Sequence, residues 1–208
     1  EQDPQPAALG LLIELLAERS RLVAAGGRHG QANAQLLRAV QLSVQQLGAQ
    51  HPDTLLRMEE LATLFTGQGQ LDAAQAIFER ILQAHRDGAQ PGSASTLART
   101  LCRYSLVRER QGALPDAVRL LQDAQDRLLS SSTHSRAQLD EVVDGLLRLR
   151  TQLGDWPAVA ATCERALRPA VADAIDAARA GRLVLLRADA LLQASQPEAA
   201  QAALLEAW

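Results

Sequence analysis

Two cysteines, Cys102 and Cys163, and four histidines, His29, His51, His85 and His134, are the side chains best suited to nucleophilic or metal chemistry in this 208-residue chain. Their spacing supports neither. A helix brings metal ligands together at i, i+3 or i, i+4, and no two of these residues stand so. His51 precedes Pro52, a turn context, and the other three histidines fall beside predicted helix ends. The cysteines lack the spacing of a disulfide framework. Cys163 reads as a buried thiol. Cys102 lies between Arg99 and Arg103, whose cations would lower a thiol pKa, so a reactive role is weighed there against an inert one. Gly26-Gly27-Arg28-His29-Gly30 is the nearest approach to a phosphate loop. It follows a predicted helix and lacks the Lys-Ser/Thr ending, so it reads as a turn. Glu59-Glu60 and Asp140-Glu141 are carboxylate pairs that a solvated helix face explains. The expectation is a non-enzyme with no cofactor and no metal.

The charge that remains is arginine. All 21 basic residues are arginine, and the net charge is -3. Every cation is therefore a planar, permanently charged fork suited to carboxylates. Net acidity argues against nonspecific nucleic-acid binding, which needs a concentrated basic field. Aromatic residues make up 2% of the chain, too few for a base-stacking platform. No run approaches the roughly 18 apolar residues of a membrane span. Leu9 to Ala17 is interrupted by Glu14 and has no basic flank, unlike a signal peptide.

The elements that must position these charges repeat. Gly27, Gly69, Gly112, Gly154 and Ser195 fall 42, 43, 42 and 41 residues apart. Five residues after each comes Ala32, Ala74, Ala117, Val159 or Ala200. Four later comes Leu36, Phe78, Leu121, Cys163 or Leu204, and three further on Ala39, Ile81, Ala124, Ala166 or Ala207. A fixed period of this kind predicts a stack of helix pairs. Leu55, Met58, Leu61, Ala62 and Phe65 share one helical face, with Asp53 and Thr54 expected to cap it. Ala74 must be small, because two helices cross closely there. Pro115, Pro157 and Pro197 stand at the start of second helices, where a missing amide costs nothing.

The predicted fold is an all-α, right-handed solenoid of about five antiparallel helix pairs. One domain is expected over residues 7–208, in units of about 8–50, 51–92, 93–134, 135–170 and 171–208, with the last first-helix starting near Val171. Residues 1–6 read as a linker remnant of a longer protein, and Gly88 to Ser95 as a loop between units.

The spacing of Gly69, Ala74 and Phe78 resembles the tetratricopeptide repeat. Residues 47–55, followed by Leu61-Ala62, Gln68-Gly69, Ala73-Ala74 and Arg80-Ile81-Leu82, resemble its 42-residue version, found in kinesin light chains and nephrocystin-type proteins. The resemblance implies that the first helix of each pair lines a concave groove. Carried onto this chain, that groove holds Glu18, Glu59 and Glu60 as an acidic mouth and Arg99, Arg103 and Arg110 as a basic band. Asp144 and Arg148 follow in the fourth unit. The groove asparagine of kinesin light chains is replaced by Glu60, Arg103, Gly145 and Leu186. The Lys/Asn carboxylate clamp of chaperone-binding repeats is missing too, with Arg99 and Arg103 as partial substitutes.

The implied function is a non-catalytic interaction module that binds a peptide or partner helix, with an acidic stretch matching the arginines, in a cytoplasmic setting. A structural spacer, a self-association domain and a regulatory domain of a larger enzyme stand as alternatives. The groove charges themselves have two readings: they meet a partner, or they pair with one another.

Overall fold

The computed structural model describes residues 6–87, 94–131, 135–168 and 176–205. The predicted linker (except Pro6), most of the Gly88–Ser95 loop, His134, the Val171 helix start, Ala207 and Trp208 lie outside them. The described residues form ten α-helices and no strand: α1 (Pro6–Ala25), α2 (His29–Leu47), α3 (Pro52–Gly67), α4 (Leu71–Arg86), α5 (Ala94–Arg110), α6 (Leu114–Ser130), α7 (Arg136–Leu153), α8 (Trp156–Ala166), α9 (Ala177–Gln193) and α10 (Pro197–Leu205). They fall into two compact units, residues 1–112 and 113–208.

The periodic glycine sets the turn within each pair. Gly27, Gly69, Gly112 and Gly154 have φ of 74°, 76°, 79° and 69°, and Ser195 adopts the same left-handed region at 60°. The amide of each donates to the carbonyl three residues back: Gly27 to Ala24, Gly69 to Thr66, Gly112 to Glu109, Gly154 to Thr151 and Ser195 to Leu192. Four of the following amides reach one residue further back, such as Asp155 to Arg150 at 3.0 Å. Such bonds satisfy the last carbonyls of a helix, and glycine enters this region without a Cβ penalty. Among the described residues Ser195 is the one non-glycine that does so.

Capping differs from expectation at α3. Asp53 and Thr54 lie inside the helix, and His51 is the cap, its Nδ1 accepting from the Asp53 amide at 3.2 Å. Pro52 explains the shift: proline favours the first helical position, which moves the cap to residue 51. The described part of α9 starts behind Asp176, whose side chain accepts from the Arg179 amide.

Packing in the first unit follows the repeat. Ile13, Ala17, Leu36, Ala39, Leu42 and Leu61 form one buried cluster across α1, α2 and α3. Ala32 and Ala74 are fully buried, as are Phe78 and Ile81. The Phe78 ring stacks on Tyr104 of α5, with centroids 5.6 Å apart. In the second unit Ala117, Leu121, Val159 and Cys163 fill the equivalent slots. Gly145 of α7 leaves room for Leu121, whose Cδ1 lies 2.9 Å from where a Cβ would stand. Burial pushes the Cys163 thiol up to about 11, so it is neutral and inert at physiological pH. Leu204 departs from its slot: it is partly exposed, where Leu36, Phe78, Leu121 and Cys163 are buried.

Candidate functional site

The first unit brings six of the predicted groove residues onto three first helices, α1, α3 and α5. Glu59 sits at the centre. Its side chain is 2% exposed. Its Oε1 accepts from Arg99 Nε at 3.1 Å and lies 2.9 Å from Arg103 Nη1, while Thr100 Oγ1 donates to Oε2 at 3.1 Å. A carboxylate taken out of water needs this many partners, because an unpaired buried charge is costly. Glu60 is held on its other side. Arg57 donates to it at 2.8 Å and Arg21 at 2.5 Å. Arg57 also reaches Glu14 at 2.5 Å, and Arg21 pairs with Glu18. The hydrogen bond to Glu60 raises the Arg21 pKa against a smaller opposing effect of burial. Arg110 donates to the Thr66 carbonyl at 2.6 Å, a second donor beside the Gly69 amide for an acceptor in the last turn of α3.

Of the acidic mouth, Glu59 pairs across neighbouring first helices with Arg99 and Arg103 of the basic band, while Glu18 and Glu60 pair with Arg21 and Arg57. Arg103 also approaches Thr63 Oγ1 at 3.4 Å.

Beside this network lies a cleft of about 550 Å³. Ala17, Ala24, Leu36, Leu56 and Leu64 give it apolar walls, while Arg21, Arg99, Arg103 and Glu60 supply charge. Arg99 and Arg103 are 40% and 38% exposed, so each fork is anchored at one edge and still meets solvent. A smaller hollow nearby is lined by Phe78, Arg103, Leu106 and Arg110.

The remaining two predicted residues lie in the second unit. Asp144 is gripped by both Nη atoms of Arg179, at 2.8 and 3.2 Å. Arg179 also lies 3.3 Å from Asp140, which pairs with Arg136 at 2.7 Å. Burial lowers the Arg179 pKa, and the Asp144 hydrogen bond together with the charges of Asp144, Asp140 and Asp176 more than offsets it. Arg148 is exposed on the same helix as Asp144.

Sequence reasoning missed Arg57 and Arg179. The available signal was separation: Glu14–Arg57, Arg21–Glu60, Glu59–Arg99 and Asp140–Arg179 are 43, 39, 40 and 39 residues apart. Opposite charges close to one period apart face each other across adjacent repeats.

Among the described residues no group of three or more His, Cys, Asp or Glu side chains is placed to hold a metal ion. No described helix is long and apolar enough to cross a membrane.

No family model matches the chain, and no curated protein matches it. Solved structures do. BtubC (BKLC) from P. vanneervenii is 19% identical, with a TM-score of 0.73 over 98% of this chain and 81% of that one. A kinesin light chain-type protein of Podosopora anserina with nearly identical TPR-like repeats is 19% identical, with a TM-score of 0.69 over 99% and 95% of the two chains. A single-substitution form of the latter gives 0.64. At such identity the likeness is one of fold, and the fold of this chain is the all-helical, tetratricopeptide-like repeat.

Proposed function

We infer that the chain is a non-catalytic interaction module, and that the face built by α1, α3 and α5 receives a segment of another protein. The observation that carries this reading is the cleft with apolar walls and half-exposed arginine forks at its edge. A guanidinium has five N–H donors, so one edge held by Glu59 leaves others for a second acceptor. Pre-anchored forks also lose less side-chain entropy on binding than free ones. The fitting partner is an extended segment that offers an aliphatic side chain to the cleft and a carboxylate to Arg99 or Arg103. Binding is an equilibrium on a preformed surface, with no chemical step.

Fluorescence anisotropy with a library of aliphatic-acidic peptides tests this. The expected result is saturable binding that Thr63→Trp weakens by about tenfold or more, a loss of about 1.4 kcal/mol. Thr63 lines the cleft with its Oγ1 3.4 Å from Arg103 Nη1, so a tryptophan there occupies the cleft, and an unchanged urea midpoint checks that the fold is kept. An affinity unchanged by Thr63→Trp would place the site elsewhere. Equal binding of peptides lacking the carboxylate would remove the arginines from it.

A further inference from the structure

Gln68 caps α3 directly before the left-handed Gly69, and it lines the cleft. Asn33 of α2 holds its side chain by two reciprocal amide bonds. Asn33 Nδ2 donates to Gln68 Oε1 at 2.9 Å, and Gln68 Nε2 donates to Asn33 Oδ1 at 2.9 Å. A carboxamide has two N–H donors and an oxygen with two lone pairs. The pair therefore uses half of what Gln68 can offer. One N–H and one lone pair remain on an amide whose orientation is already fixed.

The next repeat is an internal control. One period on, Gln75 and Gln111 stand where Asn33 and Gln68 stand. There the equivalent amides are nearly saturated. Gln111 Nε2 donates both to Gln75 at 2.9 Å and to Asp72 at 3.2 Å. Gln75 Oε1 accepts a second bond from Arg108 at 3.1 Å, and Gln75 Nε2 donates to Glu79 at 2.8 Å. Those competing side chains, Asp72, Glu79 and Arg108, correspond to Gly30, Leu37 and Phe65 in the first repeat. None of the three carries a polar side-chain group. The sequence thus omits every rival partner around Gln68, the member of the pair that borders the cleft.

We propose that Gln68 reads the backbone of the segment received by this cleft, that Asn33 positions it, and that the segment must be extended rather than helical. This rests on the reading that the face receives a segment of another protein. In a helix the backbone N–H and C=O groups are bonded to one another, whereas an extended chain offers them outward. An amide locked by Asn33 gives up little side-chain freedom when it binds. Gln68 stands at the end of α3 and the arginine forks on α5, so backbone and carboxylate are met at separate points. Two such points fix the direction in which the segment lies.

Fluorescence anisotropy with an aliphatic-acidic octapeptide and its backbone esters tests the proposal. An ester removes one N–H and weakens the adjoining carbonyl as an acceptor, with every side chain unchanged. In the unmodified chain one ester position should lower the affinity about threefold or more. In Gln68→Leu the same ester should have no effect, while loss of the peptide carboxylate should still weaken binding. Asn33→Ala keeps the Gln68 amide but frees it, so the affinity should fall and the ester effect should shrink. Urea midpoints check that the variants fold, and Gln68→Met replaces Gln68→Leu if the latter does not. Equal ester effects in the unmodified chain and in the Gln68 variant overturn the proposal and leave the cleft as the binding site. So does equal affinity for a helix-stapled form of the same peptide. Absence of saturable binding by any peptide of the library removes the peptide reading itself, and this proposal with it.

Discussion

Replacing Arg99 and Arg103 together by glutamate separates the two readings of the groove charges. If the arginines wait for a partner, the double change leaves folding nearly untouched. The geometry predicts the opposite. Glu59 is 2% exposed and depends on those two cations and on Thr100. Deleting one partner of a buried ion pair costs about 3–5 kcal/mol, because the remaining charge stays buried and unpaired. Arg99 and Arg103 are 40% and 38% exposed, so water already screens part of the attraction. That discount brings the expected loss to about 2–3 kcal/mol. For a unit of this size each kcal/mol shifts the melting temperature by about 4–8 °C, which gives a fall of about 10–20 °C.

Urea unfolding followed by circular dichroism reads this directly. A cycle of Glu59→Gln, Arg103→Gln and both together isolates the pair. Residues sharing one ion-pair network couple by about 0.5–3 kcal/mol, and about 1 is expected for this half-exposed partner. Glu59→Gln alone should cost less than the double reversal, since glutamine keeps an acceptor for Thr100 and leaves both cations access to water. An unchanged urea midpoint for Arg99→Glu with Arg103→Glu would refute the reasoning, as would zero coupling in the cycle. The arginines would then be free to act as an independent basic band.

Four further substitutions test backbone and packing. Ser195→Gly should raise stability by about 0.5–1 kcal/mol in thermal melts, because Ser195 holds the left-handed conformation with a side chain. Gly154→Ala should cost about 1–2 kcal/mol although the space beside it is open, and no loss would show that φ there is not positive. Ala74→Leu should overpack a fully buried crossing at a cost of about 1–3 kcal/mol, and Phe78→Ala should cost about 3–5 kcal/mol. A urea midpoint unmoved by Ala74→Leu would contradict the assigned register.

What the sequence revealed and what it hid divide along physical lines. The turn glycines were legible because a left-handed position is a local backbone demand that only a few residue types meet. The small slots at Ala32, Ala74 and Ala117 were legible for a similar reason: a close crossing excludes bulk whatever surrounds it. The α3 cap was misread because Asp53 and Thr54 are good capping residues, yet Pro52 fixes where the helix begins. The pairings of Glu59 and Glu60 were hidden for a different reason. A charged residue on a helix face looks the same in sequence whether it meets water, a partner or the next repeat. Arg57, which no motif singles out, is buried between Glu14 and Glu60.

The ladder of pairs bears on how a partner could be held. Charges balanced within the face create little long-range field, so steering of an acidic partner should be weak compared with a free basic patch. What the ladder supplies instead is position. Glu59 joins α3 to α5, and Glu14 and Glu60 join α1 to α3. Neighbouring repeats whose cores are mostly alanine and leucine can slide against one another at small cost, because such surfaces offer few specific contacts. Ion pairs anchored in a buried carboxylate penalise that sliding sharply, because any shift leaves a charge unpaired. The arginine forks at the cleft edge are thereby held in one arrangement. Their second role as ligands would then depend on Glu59 as much as on the arginines themselves.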